Sequence, residues 1–84
     1  MKGEWIILPD GTIGVYMRDQ DGTPVIGYGE PGNYTAYDAC PRGLHPAFYA
    51  VIGKVCDFPT SADALDQVRR MREYADRCVK NAEL

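Results

Sequence analysis

The chain has 84 residues, of which 45% are hydrophobic, 25% charged and 11% aromatic, and its net charge is −3 at pH 7. This length suits one domain, and the composition excludes the disordered and collagen-like classes. The negative charge disfavours general nucleic-acid binding, because the chain lacks the basic field that attracts phosphate backbones. We expect a single domain, residues 1–84, with a sheet and a loop in residues 1–58 and a helix in residues 60–82.

The first part of the chain predicts three consecutive strands separated by turn sequences rich in Pro, Asp and Gly. The three runs are residues 4–8, 12–18 and 25–29. In the second run Ile13, Val15 and Met17 alternate with more polar residues, so we expect a sheet that is covered on one side. Pro24 suits only the start or edge of the third run. These signals predict an antiparallel meander.

The middle of the chain gives mixed signals. Turn residues surround residues 34–37, which form either another brief strand or an ordered loop. Residues 48–58 are the strongest β segment, and because both of its faces are apolar we expect it to lie centrally in the sheet. Within this segment Gly53 indicates a bulge or a close approach by another group. Pro59 ends the segment.

The last quarter of the chain predicts an amphipathic helix. Thr60 or Ser61 can accept a hydrogen bond from the first turn, and Asp63 suits its positive end. Its apolar stripe consists of Ala64, Val68, Met71, Ala75, Cys78 and Ala82. We expect this whole stripe to pack closely on the sheet. Pairs of opposite charge four residues apart, such as Asp66 with Arg70, predict a self-compensated outer face. The fold class is therefore α+β: an antiparallel sheet of four to five strands packed against one C-terminal amphipathic α-helix.

Three cysteines and the single histidine are the candidates for metal or thiol chemistry. Cys40, Cys56 and Cys78 form an odd set without CxxC spacing, which fits free thiols in the cytoplasm. The early apolar run, residues 5–8, is too short for a signal-peptide core or a membrane span. We favour core cysteines and a loop histidine, with no catalytic set, metal or cofactor. The alternative is a metal- or thiol-dependent regulator or enzyme centred on Cys40 and His45.

An arginine cluster on the helix gives a second alternative. Its members are Arg69, Arg70, Arg72 and Arg77. An arginine-rich helix could bind the phosphate backbone of a nucleic acid. The acids that alternate with these arginines favour a solvated, salt-bridged face instead, so we expect no nucleic-acid partner.

Acidic turns and tyrosines are the candidates for binding a protein. Residues 1–40 carry six acids against two bases, whereas residues 41–84 carry six acids against seven bases. Tyrosine among glycines is typical of binding loops, although the same rings could instead cover one end of the sheet and add to the core. The predicted partner-binding residues are Asp10, Asp19, Asp21, Glu30, Tyr34 and Tyr37. Such a surface suits a protein partner with a basic surface.

The segment from Phe58 to Leu65, FPTSADAL, leads a last strand into the final helix, after a small acidic meander and a tyrosine-bearing loop. In this architecture the chain resembles small phage-encoded accessory proteins, including some anti-CRISPR proteins. The resemblance implies a non-enzymatic inhibitor that occludes a basic surface of a host nucleic-acid-processing complex. We therefore predict a cytoplasmic protein-interaction module, and we leave open whether it forms a homodimer.

Overall fold

The computed structural model describes residues 2–40 and 49–82. Its elements are β1 (Glu4–Ile7), β2 (Ile13–Arg18), β3 (Pro24–Glu30), β4 (Asn33–Ala39), β5 (Ala50–Lys54) and α1 (Ser61–Ala82). The five strands form one antiparallel sheet in the order β4-β3-β2-β1-β5. The α+β fold is confirmed, and residues 34–37 belong to a strand.

The larger core lies between the sheet and the helix. Its buried members are Trp5, Val15, Ile52, Val55, Ala64 and Val68. Ile13 and Met17 pack against this cluster from the same strand as Val15, which confirms the alternation predicted for β2. The Trp5 Nε1 atom donates a hydrogen bond to the Phe58 carbonyl oxygen at 2.6 Å. This bond ties β1 to the segment that leads into the helix.

The opposite face of the sheet carries a second apolar cluster. Ile6, Ile26 and Tyr49 are buried there, and Leu8 and Tyr28 are among the partly buried residues packed against them. The helix covers one face of the sheet, as predicted, and the other face carries this second cluster. Consecutive residues of a strand point to opposite faces, so the continuous apolar run in β1 supplies both clusters.

Strand β5 lies at the edge of the sheet and pairs with β1, so the central position expected for residues 48–58 is wrong. The apolar residues at the end of that run have left the strand. Val55 follows β5 and is fully buried in the helix-side core. The ring of Phe58 folds back over Gly53, where it would overlap an added Cβ atom. The predicted close approach at Gly53 is thus confirmed.

Within residues 2–40 and 49–82, the helix packs on the sheet only through its first two turns. Ala64 is 0% exposed and Val68 is 8% exposed, whereas every residue from 69 to 82 is exposed. The expectation that the whole stripe packs on the sheet is therefore wrong. A helix of 22 residues is about 33 Å long. The longest strands have 7 residues and span about 23 Å, and five strands spaced about 4.8 Å apart are about 19 Å across, so the helix overhangs.

Candidate interaction surface

Residues 69–82 form what we call the projecting half of the helix. The apolar stripe that begins at Ala64 and Val68 continues along it through Met71, Ala75, Cys78 and Ala82. Two further apolar side chains flank the stripe: Tyr74 is 70% exposed and Val79 is 57% exposed. A helix face of this kind normally lies against another protein surface. Here it extends the face that already packs on the sheet.

Charged residues surround the stripe without entering it. Arg69 and Arg70 both reach the carboxylate of Asp66, at 2.6 Å and 3.1 Å. Asp66 with Arg70 is therefore the one predicted i,i+4 pair that forms among the described residues. Exposed pairs of this kind contribute about 0–1 kcal/mol each. The charged residues make the outer face of the helix hydrophilic, so the stripe is the apolar part of its surface.

Glu30 anchors the start of the helix. Its carboxylate accepts hydrogen bonds from the Ser61 hydroxyl and, at 2.9 Å, from the Ser61 backbone N–H. The Thr60 Oγ1 atom accepts a further bond from the Asp63 N–H at 3.2 Å, as expected for a capping residue. The Ser61 hydroxyl, followed by its N–H, lowers the pKa of Glu30. The carboxylate of Glu30, a predicted partner-binding residue, is thus engaged within the chain.

The remaining predicted acids lie in turns at opposite ends of the sheet. Asp10 lies between β1 and β2, at the same end as Glu30, whereas Asp19 and Asp21 lie between β2 and β3 at the other end. Asp10 Oδ1 accepts bonds from the Thr12 N–H and hydroxyl, and the hydroxyl is the main cause of its lowered pKa. Asp19 Oδ1 accepts bonds from two backbone N–H groups of its own turn. These acids do not form one contiguous surface.

Tyr34 and Tyr37 are brought together on β4. Their ring centroids are 5.6 Å apart in an edge-to-face arrangement. Tyr34 packs against the helix-side core, and burial is the main cause of its raised pKa. Tyr37 is 59% exposed. Of the two predicted contact residues, Tyr34 therefore supports the fold, whereas most of Tyr37 lies on the surface.

An open cleft of about 550 Å³ lies beside the end of the sheet formed by β1, β2 and the end of β5. Its charged lining residues are Lys2, Glu4, Arg18, Asp19 and Lys54. Glu4 is the register partner of both Tyr16 and Lys54, so an acid lies in the same row as a base. Because charges of both signs line the cleft, it presents no field that selects one kind of ion.

The cysteines do not form a site within the described residues. Cys40, Cys56 and Cys78 are free thiols; Cys40 is half-buried, and burial raises its pKa. Cys56 and Cys78 are exposed, so the expectation of core cysteines is wrong for these two. No group of three His, Cys, Asp or Glu side chains in residues 2–40 and 49–82 could hold a metal ion. His45 lies outside the described residues, and the Cys40–His45 alternative stays a prediction.

The chain finds no match among protein-family models, curated proteins or solved structures. In the part of the chain that the structure describes, no helix is long and apolar enough to span a membrane.

The sequence pattern predicted that the stripe packs on the sheet. It therefore did not identify Met71, Tyr74 and Val79 as surface residues. The available signal was the length of the helix, because short strands cannot cover six turns.

Proposed function

We propose that this protein is a non-enzymatic interaction module and that its binding surface is the apolar stripe of the projecting half. The observation that carries the proposal is the exposure of residues 69–82 along a stripe that is buried only at Ala64 and Val68. The partner surface is another amphipathic helix. This assignment replaces the acidic turns as the main contact region, because those acids are divided between two ends of the sheet.

The shape of the stripe supports a helical partner. Ala75, Cys78 and Ala82 are small, and small residues let two helix backbones approach closely. Tyr74 and Val79 stand beside the stripe and supply contact area at its margins. A strand would need free backbone N–H and C=O groups to pair with, and the interior of a helix offers none.

Contacts at the base of the helix fix its position on the sheet. The bond from Trp5 to the Phe58 carbonyl fixes the segment before the helix, and Glu30 holds its first residue, Ser61. These contacts therefore set the direction in which the projecting half leaves the sheet.

Photo-crosslinking in the native cell tests the proposal. A benzoyl-phenylalanine placed at Met71, on the stripe, should give a defined protein adduct that disappears when Ala75→Glu is added. The same group placed at Glu73, on the outer face, is the matched control and should give none. Equal adducts at both positions, or no adduct at Met71, would exclude the stripe as the binding surface.

The narrower hypothesis of a phage-type inhibitor that occludes a basic host surface keeps one favourable observation, the exposed Tyr37 beside Tyr34. Tyr37→Ala should weaken capture of such a target while leaving the melting temperature nearly unchanged, since Tyr37 is largely outside the core. Charge reversal of Asp19 and Asp21 tests the acidic contribution separately. Unchanged capture in both variants would remove this hypothesis.

A further inference from the structure

We infer that the partner of the projecting half is the same half of a second copy of this chain, packed antiparallel to it. This inference rests on the proposed function and names its partner. The stripe is continuous with an interface already present, the one between Ala64, Val68 and the sheet. That continuity restricts how a second helix can approach.

A parallel pair is sterically blocked. In a parallel arrangement the second helix would lie against the stripe along its whole length, including Ala64 and Val68. The sheet of the first copy already occupies that position. An antiparallel helix that covers only residues 71–82 avoids both sheets, because the sheet-bearing half of each copy then lies beyond the end of the other helix.

One antiparallel register places the large side chain of Met71 opposite a small one. The stripe residues follow a heptad spacing, in which antiparallel helices place the two kinds of core position opposite each other. With Ala75 opposite Cys78 of the second copy, Met71 lies opposite Ala82 of the second copy. Each of these pairs occurs twice by symmetry. Met71 thus fills the space beside Ala82, and the small residues Ala75 and Cys78 allow the two helices to approach closely between the Met71 positions.

The charges are compatible with this register. Arg72 is the charged residue that flanks the seam, and it lies opposite Val79 of the second copy rather than opposite another arginine. On the other flank Tyr74 lies opposite Asn81 of the second copy. Glu73, Asp76 and Lys80 point away from the seam because of their positions in the heptad. No like charges therefore face each other across the pair.

The size of the contact predicts weak association. The projecting half is about 21 Å long. Two such helices with axes 8–10 Å apart bury less than the roughly 1,200–2,000 Å² of a standard stable interface. We therefore expect a concentration-dependent dimer that dissociates at low concentration rather than a permanent one.

Disulfide trapping tests the register. In a Cys40→Ser/Cys56→Ser background, Cys78 is the single cysteine and should cross-link slowly, because it faces Ala75 rather than itself. Adding Ala75→Cys should give a rapidly oxidised dimer. Adding Glu73→Cys, on the outer face, is the matched control and should not. Rapid cross-linking by Cys78 alone, or equal rates for both added cysteines, would overturn the antiparallel register.

Sedimentation of the unmodified chain tests self-association directly. The average mass should rise towards that of a dimer as the concentration approaches about 1 mM, the scale of weak complexes. Met71→Glu should abolish this rise, and Glu73→Gln should preserve it. A monomer throughout, with no trapped dimer, overturns self-pairing. A photo-adduct at Met71 to a different protein would still support the proposed function, so the two failures are distinguishable.

Discussion

Truncation of two neighbouring stripe residues to alanine should reveal where helix packing on the sheet ends. Val68 is 8% exposed and Met71, one turn further along, is 38% exposed. Val68→Ala removes two carbons, about 1.6 kcal/mol of transfer free energy at about 0.8 kcal/mol per carbon. The cavity adds roughly 1 kcal/mol, and the better helix propensity of alanine returns about 0.5 kcal/mol. We expect a net loss of about 2 kcal/mol.

Met71→Ala should change the free energy of unfolding by less than about 0.5 kcal/mol, because the side chain is not part of the core. Thermal unfolding followed by circular dichroism at low micromolar concentration compares the two variants without interference from association. A loss of about 2 kcal/mol corresponds to a drop of about 8–16 °C in a domain of this size. Equal losses in both variants would show that the stripe packs on its own sheet beyond Val68, and would remove the basis for the projecting surface.

Three further changes probe the contacts that hold the helix in place. Trp5→Phe leaves the Phe58 carbonyl without its indole donor, so urea unfolding should show a loss of about 1–3 kcal/mol, and an unchanged midpoint would contradict this role. Gly53→Ala places a Cβ atom against the Phe58 ring and should destabilise by about 1–3 kcal/mol; full stability would mean that the ring moves freely. The folded-state pKa of Glu30 is lowered, so its contribution is present above the ordinary glutamate pKa and is lost as the pH falls through the lowered value. Glu30→Gln should therefore lose stability at neutral pH and show a weaker acid dependence than the unmodified chain, whereas identical pH profiles would exclude the anchoring role.

Local patterns were sufficient to predict most of the elements. The alternation of Ile13, Val15 and Met17 placed β2 correctly against the helix-side core. The central position predicted for residues 48–58 was wrong because Val55 and Phe58 are apolar for a different reason from the strand residues before them. They belong to the connection that folds over Gly53 and under the helix. A short apolar run cannot distinguish a central strand from an edge strand followed by a buried turn.

The candidate site was harder to predict because exposure depends on dimensions rather than on periodicity. The stripe keeps the same spacing on both sides of Val68, so nothing in its pattern marks the point where the sheet ends. The positions of the acidic turns were easier to predict from the sequence. In a meander, alternate turns lie at opposite ends, which separates Asp10 and Glu30 from Asp19 and Asp21. The excess of acids in residues 1–40 indicated one shared binding surface, whereas the connectivity of the strands places these acids at two ends of the sheet.

Binding of a partner to the projecting half should stabilise the helix in residues 69–82. A helical segment of this length is marginal in water without tertiary contacts. Backbone amides in residues 69–82 should therefore exchange with solvent much faster than those of residues 64–68, which pack on the sheet. If the partner is a second copy, protection of residues 69–82 should increase with protein concentration, because binding stabilises the folded helix in proportion to RT ln(1 + [L]/Kd).

Hydrogen exchange measured by mass spectrometry at several concentrations tests this link. Protection of residues 64–68 serves as the internal control, since it depends on the fold of a single copy and should not vary. The Ala75→Glu variant should lose the concentration dependence in residues 69–82 while keeping the protection of residues 64–68. Strong protection of residues 69–82 at the lowest concentration would contradict both the exposure of this half and its pairing, because it would require a covering surface within the same chain.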